Sequence, residues 1–436
     1  MALTEKEIEF RARQLLEIRE SERPRLDRIH AYLANEQEDS WLPRAVPAEV
    51  RELARISHVN FLDYVVNNVT QSLYVDGYRA ERGSDNGQAW DIWQRNRMDS
   101  RQIGIHRSAV TYGAAYAVVL PGDPVPVIRG ASPRSMTVAY GMDDEWPEMA
   151  LWKRTDGTYR LLDETSVYDF VLEGDTGEKF RLLGAFNHGA GVCPVVRYRE
   201  TEDLDNPVLG EVEPRFKLQD QINVTTFELL VAQHYGAFRQ RYILGWVAED
   251  EQQKLQASAS KLWTFEDAPS DIQVGEFSQT NTSGYIESRE ATLRHLATVS
   301  QTPAHELLGQ LVNLSADARA AANDSNRRKI TERQTVLGES HEQVLDLAGS
   351  LMGLESDPSA YVRWKDTEPR SLAQTADALG KLVQMLGVPD QELWEMIPGV
   401  TQQEITRWKA AAAAEKETAE ADTDEAPLPD MGVNDR

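Results

Sequence analysis

Cysteine is almost absent: Cys193 stands alone in 436 residues, which excludes an internal disulfide framework and any metal site built on several thiolates. Positive charge is scarce. Lys and Arg number 46 against 71 Asp and Glu, a formal net charge of −25. A chain that by itself coats DNA or lies on an anionic membrane needs the opposite sign. Long apolar runs are missing too. The longest nearly apolar stretch, 109–120, contains Thr111 and Gly113 and falls short of the roughly 20 residues that cross a bilayer. Met1-Ala2-Leu3-Thr4-Glu5-Lys6-Glu7 has no apolar segment behind a basic start, so no secretory signal is expected. The triplet Asn68-Val69-Thr70 then has no glycosylation meaning. A soluble intracellular protein without a membrane partner is the expectation.

Catalytic signatures are equally scarce. The sequence holds no Gly-x4-Gly-Lys-Ser/Thr phosphate loop, no His-Glu-x2-His and no Gly-x-Ser-x-Gly. Gly189-Ala190-Gly191 lacks a third glycine and precedes a strand, so it reads as a turn rather than a dinucleotide loop. His188 lies near Cys193, but a buried structural thiol is a simpler reading than a thiol–imidazole pair. Asp143-Asp144-Glu145 and the pair Asp203/Asp205 offer carboxylates for a cation or for acid–base work. Both sit among turn formers without further ligands, and solvated loop carboxylates account for them. Neither an enzyme nor a cofactor is expected.

What is present is an ordinary globular composition, 41% hydrophobic and 27% charged, on a chain long enough for two or three packed units. Residues 5–32 read as a peripheral helix, densely charged with sparse leucines. Pro47 suits a helix start, and 48–74 carries Leu53, Ile56, Phe61, Tyr64, Val65, Val69 and Leu73 at helical spacing, ended by Gly77. A helix over 101–112 leads into short β-branched or aromatic runs at 116–120, 125–128, 136–140 and 167–171, and later at 194–198. Turn formers such as Pro121-Gly122-Asp123, Asp156-Gly157 and Gly174-Asp175-Thr176-Gly177 separate them. This pattern predicts an α+β domain.

From there the pattern is mostly helical. The spacing predicts one helix over 213–238, with Val224, Phe227, Val231, Tyr235 and Phe238 on one stripe and Gln219, Asn223, Thr226 and Gln233 on another. Residues 241–279 mix short strands and turns. A second helix over 285–300 carries Ile286, Leu293 and Leu296, and Thr302-Pro303 breaks it because proline lacks the N–H that a helix needs. After the small-residue passage 307–314, Ser315 is a candidate N-cap, with Asp317 favourable to the helix dipole, for a very long helix ending near 351. Short helices follow at 372–386, 390–396 and 401–414. The acidic segment 415–436, with Pro427 and Pro429, reads as a flexible tail. Arg319, Arg327, Arg328, Lys329 and Arg333 cluster on the long helix. Contact with nucleic-acid phosphates is one reading; pairing with carboxylates of a neighbouring helix or subunit is the other, favoured by the excess of acid.

Several short segments form a series. They are Asn67-Asn68-Val69 with Leu73-Tyr74-Val75-Asp76-Gly77-Tyr78, then Ala109-Val110-Thr111-Tyr112-Gly113-Ala114-Ala115-Tyr116, then Ala131-Ser132-Pro133-Arg134-Ser135-Met136. The strand region 188–198 and Leu218-Gln219-Asp220-Gln221-Ile222-Asn223 follow, and after them Ala297-Thr298-Val299-Ser300-Gln301-Thr302-Pro303 and Asn313-Leu314-Ser315-Ala316-Asp317-Ala318. In this order they resemble the portal proteins of tailed double-stranded DNA bacteriophages, in particular the branch from phages of actinobacteria and Gram-positive hosts.

The resemblance implies a portal fold. It comprises an α+β wing over 1–212, a stem helix over 213–240, a small α/β clip over 241–279 and a second stem helix over 280–303. A tunnel loop over 304–315, a long wing-to-crown helix over 316–360 and an α-helical crown over 361–414 complete it. It implies a homo-oligomeric ring, usually a dodecamer, at one capsid vertex of the virion, assembled in the host cytoplasm and seated in the major capsid protein shell. Double-stranded DNA would pass through the channel, terminase large subunit would dock on the clip, and head-completion or adaptor proteins would follow. Leu307, Gln310 and Asn313 become candidates for loop residues touching DNA. Glu287 and Glu290 become candidates for an acidic lining that repels phosphate instead of gripping it. A polar helix stripe such as that of Gln219 and Asn223 suits the wall of a wet channel. The alternative is another oligomeric virion component, a minor head or connector protein without DNA passage.

Overall fold

A computed structural model of the chain describes residues 3–38, 41–42, 45–79, 87–142, 145–174, 179–237, 241–244, 262–265, 273–276, 281–309, 316–366, 372–397, 399–400 and 402–424. Helix α1 (Glu5–Ala34) opens on a capping box in which the Glu7 carboxylate accepts from the Thr4 N–H at 2.8 Å. Its sparse apolar stripe buries Ile8, Ala12 and Leu15, and about three turns further along Leu26, Ile29 and Tyr32. The single helix expected over 48–74 is two, α2 (Ala48–Ser57) and α3 (Phe61–Thr70). Asn60 caps the second, its side chain accepting from the Asp63 N–H at 3.0 Å, so a local competitor for backbone bonds interrupts an otherwise continuous periodicity. Strand β1 (Val75–Arg79) and helices α4 (Gly87–Arg95) and α5 (Met98–Tyr112) follow.

The expected α+β texture is present and richer than the runs of β-branched residues indicate. In chain order come β2 (Ala114–Leu120), β3 (Val127–Ala131), β4 (Met136–Tyr140), β5 (Pro147–Lys153), β6 (Tyr159–Asp163), β7 (Ser166–Glu173), β8 (Lys179–Asn187) and β9 (Val195–Arg199). Strands β4 to β8 form an antiparallel meander, and β2 sits between β3 and β9 in a separate three-stranded sheet. Ile8, Ala12 and Leu15 of α1 cover one face of the meander against Leu151, Leu161, Tyr168 and Phe170. The turn from α5 into β2 runs hard against the segment before α6. Gly113 has φ +90°, and a Cβ on Gly210 would lie 2.2 Å from the Thr111 carbonyl oxygen, so two backbones meet where side chains do not fit.

A 3-10 turn, Glu213–Arg215, leads into α6 (Phe216–Ala237). Beyond it β10 (Arg241–Leu244) lies between β11 (Leu262–Phe265), to which it is parallel, and β12 (Gln273–Glu276), to which it is antiparallel. Helix α7 (Ser283–Ser300) packs back along α6 and is followed by the single turn α8 (Ala304–Leu307) and the long α9 (Ala316–Leu351). Strand β13 (Tyr361–Trp364) pairs antiparallel with β1, and α10 (Leu372–Leu386), α11 (Asp390–Leu393) and α12 (Gln402–Asp424) end the described chain.

Two expectations change here. Residues 361–364, placed at the start of an all-helical crown, are a strand that forms a two-stranded sheet with β1 of the first domain, stitched by an Arg363–Asp76 ion pair at 2.9 Å. The acidic segment expected to be flexible from 415 continues α12 to Asp424, because Ala, Glu and Lys in its first half are strong helix formers. Residues 425–436 lie outside the described set. The main core joins α3, α5, β2 and β9 to α9, with Val65, Val69, Val110, Ala117, Tyr198, Leu337, Val344 and Ala348 all buried. It extends to Leu293, Leu296 and Leu307 at the base of the helix pair.

Candidate functional site

Helices α6 and α7 run in opposite directions: the guanidinium of Arg215, just before α6, donates to the Val299 carbonyl at the end of α7 (3.3 Å). The polar stripe of α6 does not line a wet surface. Gln219 and Asn223 are each 1% exposed, and Thr226 is buried with them. The break between α2 and α3 explains this. There the Phe61 N–H donates to the Val59 carbonyl at 3.1 Å, and the Gln219 amide adds a second partner to each, at 3.1 and 2.8 Å, while also donating to Asn223 at 2.9 Å. Of that stripe Gln233 alone is exposed. On the nominally apolar stripe Tyr235 is exposed, Val224 and Val231 are half-buried, and Phe227 packs on Trp41 with ring centroids 4.9 Å apart. Phe238 lies outside the described residues.

On α7, Glu287 is exposed, while Glu290 is half-buried and paired with Arg294 at 3.0 Å. Arg289 is also on this helix, so its two carboxylates are matched by two guanidinium groups and its surface is not strongly negative. Leu307 is not a loop residue offered to a ligand. It ends α8 and is buried in the main core, since an apolar side chain beside Leu293 and Leu296 gains more from packing than from a wet channel. Gln310 and Asn313 lie outside the described residues, and Arg319 lies in α9 outside the residues whose side chains are described.

The basic cluster of α9 splits in two. Arg327 and Arg328 are exposed and share Asp324, at 3.3 and 3.4 Å. Lys329 and Arg333, one turn apart, point inward to carboxylates from the segment between β9 and α6. The Lys329 ammonium lies 2.9 Å from Glu211 and donates to the Ser300 carbonyl at 2.7 Å. Arg333 bonds Glu200 at 2.9 Å and the exposed Glu332 at 2.9 Å. Arg215 approaches Glu211 from the other side at 3.0 Å. Side chains of Lys329, Glu211 and Glu200 are all 3% exposed or less. The pairing reading of these two residues holds within one chain. Burial pushes the Glu200 carboxyl up, and the neighbouring Glu211 adds to this; Glu211 itself is pushed up by burial but held below its usual range by Lys329 and Arg215. Burial also lowers the Lys329 ammonium, opposed by Glu211.

A second buried polar line went unseen in the sequence because its members are far apart in the chain. His106 on α5, His341 on α9 and Tyr198 on β9 touch in series, boxed by Trp93 and Trp364. The other candidates are structural. Cys193 is buried, its thiol facing the Leu162 carbonyl at 3.7 Å and pushed far up by burial, and His188 bonds the Asp163 carbonyl at 3.0 Å and the Ala190 N–H at 3.1 Å. Asp203 closes its own turn by accepting from the Asp205 and Asn206 N–H groups, which hold its carboxyl below the usual range. Asp143 and Asp144 lie outside the described residues. Among the described residues no group of three or more His, Cys, Asp or Glu is placed to hold a metal ion, and no helix is long and apolar enough to cross a membrane.

Several solved structures are similar to this chain. The virion of a native gene transfer agent particle contains one with 12% identity and a TM-score of 0.44, covering 81% of this chain and 95% of that one. The neck of a native gene transfer agent particle, computed with C12 symmetry, contains one with 14% identity and a TM-score of 0.46, covering 80% and 91%. No curated protein matches in sequence. The sequence profile of the family described as phage portal protein, SPP1 Gp6-like, matches residues 12–418. That match spans nearly the whole chain, from α1 into α12, and the chain therefore belongs to the SPP1 Gp6-like family of phage portal proteins, structural components of the virion rather than enzymes.

Proposed function

We propose that this chain is the subunit of a closed ring, of twelve copies, at one vertex of a phage capsid, through which double-stranded DNA enters and leaves. The observation that carries the reading is the excursion of α6 and α7 from the α+β body, with the small mixed sheet β10–β12 between them. In a ring of such subunits the paired helices form the stem, the small sheet a clip for terminase large subunit and later head-completion proteins, and α9 the span between wing and crown. The body would meet the major capsid protein. Phages of actinobacteria and Gram-positive hosts are the proposed source, with assembly in the host cytoplasm.

The net charge of −25 fits a conduit better than a grip, because repelled phosphates are not held by counterion release. Glu287, exposed on α7, is the stronger candidate for a channel-lining carboxylate; Glu290 is partly neutralised by Arg294. Gln310 and Asn313, between α8 and α9, remain the proposed DNA contacts.

Light scattering and negative-stain imaging of the purified chain test the ring. Twelve copies of 49.1 kDa give about 590 kDa, with a central hole. A compact oligomer without a hole would overturn the conduit. Capture of terminase large subunit by the wild type, lost on deletion of 241–276, tests the clip.

A further inference from the structure

The last two carbonyls of α7, those of Val299 and Ser300, accept from no backbone N–H, whereas those of Ala297 and Thr298 do. Gln301 turns into the left-handed region at φ +52°, Thr302 N–H folds back to Ala297 O at 3.0 Å, and Pro303 has no N–H to give. Two cations fill the gap: the half-buried Arg215 takes the Val299 carbonyl and the buried Lys329 takes that of Ser300. Both also face the negative end of the α7 dipole. Arg215 belongs to the entry of α6, which is fixed to the body. Lys329 belongs to α9, and its bond to Ser300 ties together the two ends of a 29-residue stretch that includes α8 and the segment after it.

We propose that Lys329 is a positioning residue for the exit from α7, setting the direction in which 301–309 leaves the helix according to where α9 stands. The inference deepens the conduit reading, because 304–315 is the segment which that reading places in the bore. Glu211 aims the ammonium. Its carboxylate holds Lys329 at 2.9 Å and Arg215 at 3.0 Å, so the two cations that cap α7 share one anchor on the chain leading into α6. Lys329 thereby ties the Ser300 carbonyl to α9, whereas Glu306, bonded to the Tyr64 hydroxyl at 2.9 Å, keeps the far side of α8 on α3. Segment 301–309 is thus held at one end by the body and at the other by the long helix.

Hydrogen exchange of the full-length chain tests this, with peptides covering 301–309 as the reporter and 147–163, in the meander, as the internal control. Lys329→Met is expected to speed exchange over 301–309 on the order of tenfold, the loss of a charge-assisted bond, and to leave 147–163 unchanged. Lys329→Arg, which keeps a cationic donor, is expected to restore most of the protection. Wild-type protection over 301–309 in Lys329→Met overturns the proposal, and so does equal loosening of both regions that Lys329→Arg fails to rescue. Should Lys329→Met not fold, Glu211→Gln takes its place: it keeps an oxygen for the ammonium while removing the charge that aims it. A few-fold faster exchange confined to 301–309 then supports the proposal and no change there overturns it. Imaging of the wild-type particle is read separately, so a missing channel removes the conduit without touching the exchange result.

Discussion

His341 Nε2 lies 2.7 Å from His106 Nε2 inside the core, and one arrangement of protons satisfies both rings. His106 Nδ1 faces the Leu73 carbonyl at 3.2 Å and must carry a hydrogen. Its Nε2 therefore accepts from the Nε2–H of His341, whose Nδ1 accepts the Tyr198 hydroxyl at 2.9 Å. Both rings are neutral in this arrangement, and a further proton on His106 Nε2 sets two N–H groups face to face.

Acid stability follows from that line. Burial lowers His106 from 6.5 to about 4, and burial and the charge of His106 lower His341 well below 6.5. With folded values below unfolded ones, unfolding takes up protons, so stability contributed by these rings is complete above 6.5 and declines toward about 4. Each ring accounts for up to about 1.4 kcal/mol per pH unit. Urea midpoints at pH 7 and pH 5 should differ less in His341→Gln than in wild type; an equal difference would remove the pair as the cause.

The buried ions behave with the opposite sign at Glu200. Its raised carboxyl takes up a proton on folding, so its contribution falls as pH rises above 4.5. Glu200→Gln should gain stability relative to wild type as pH increases through that range. Arg333→Met should instead cost about 3–5 kcal/mol, because it strands buried carboxylates. Denaturant titrations at two pH values separate the two effects.

Leu307→Ala is predicted to act on folding. Emptying a buried leucine site costs about 2–5 kcal/mol, and the loss should appear in the unfolding midpoint of the purified chain without any DNA present. A variant as stable as wild type would return Leu307 to the list of loop contacts.

Gly210→Ala should be far more damaging than Gly157→Ala. The first places a Cβ 2.2 Å from a backbone oxygen; the second, at φ +85°, meets nothing within 4 Å and pays only for its backbone conformation, about 1–2 kcal/mol. Melting temperatures in that order would confirm that the meeting of two chains at Gly113 and Gly210 is intolerant of a single methyl group.

Much of the helical scaffold was legible because long segments repeat their periodicity: α6, α7 and α9 fall where spacing put them. Strands β5, β6 and β8 were not, since Pro147-Glu148-Met149-Ala150 and Lys179-Phe180-Arg181 owe their extended state to neighbours in the meander rather than to their own side chains. The stripe of Gln219, Asn223 and Thr226 was correctly spaced and wrongly placed in water, because the gap it fills lies at Val59 and Phe61. Lys329 and Arg333 were visible as neighbours on one helix, but their partners Glu211 and Glu200 belong to a remote loop, as His106 does to His341.

The pairing of β1 with β13 has a mechanical consequence. Val75 and Trp364 are joined by an antiparallel ladder, extended by the Lys365 N–H to Tyr74 carbonyl bond at 2.8 Å. Everything between them, including α6, α7 and the small sheet at their far end, is one closed loop of chain clasped at its root. Tension applied to that sheet travels down both helices and is carried at the clasp as shear across the ladder. The first 70 residues share that load, because Gln219 of α6 bonds Val59 and Phe61, and Arg25 pairs with Glu213 at the entry of α6.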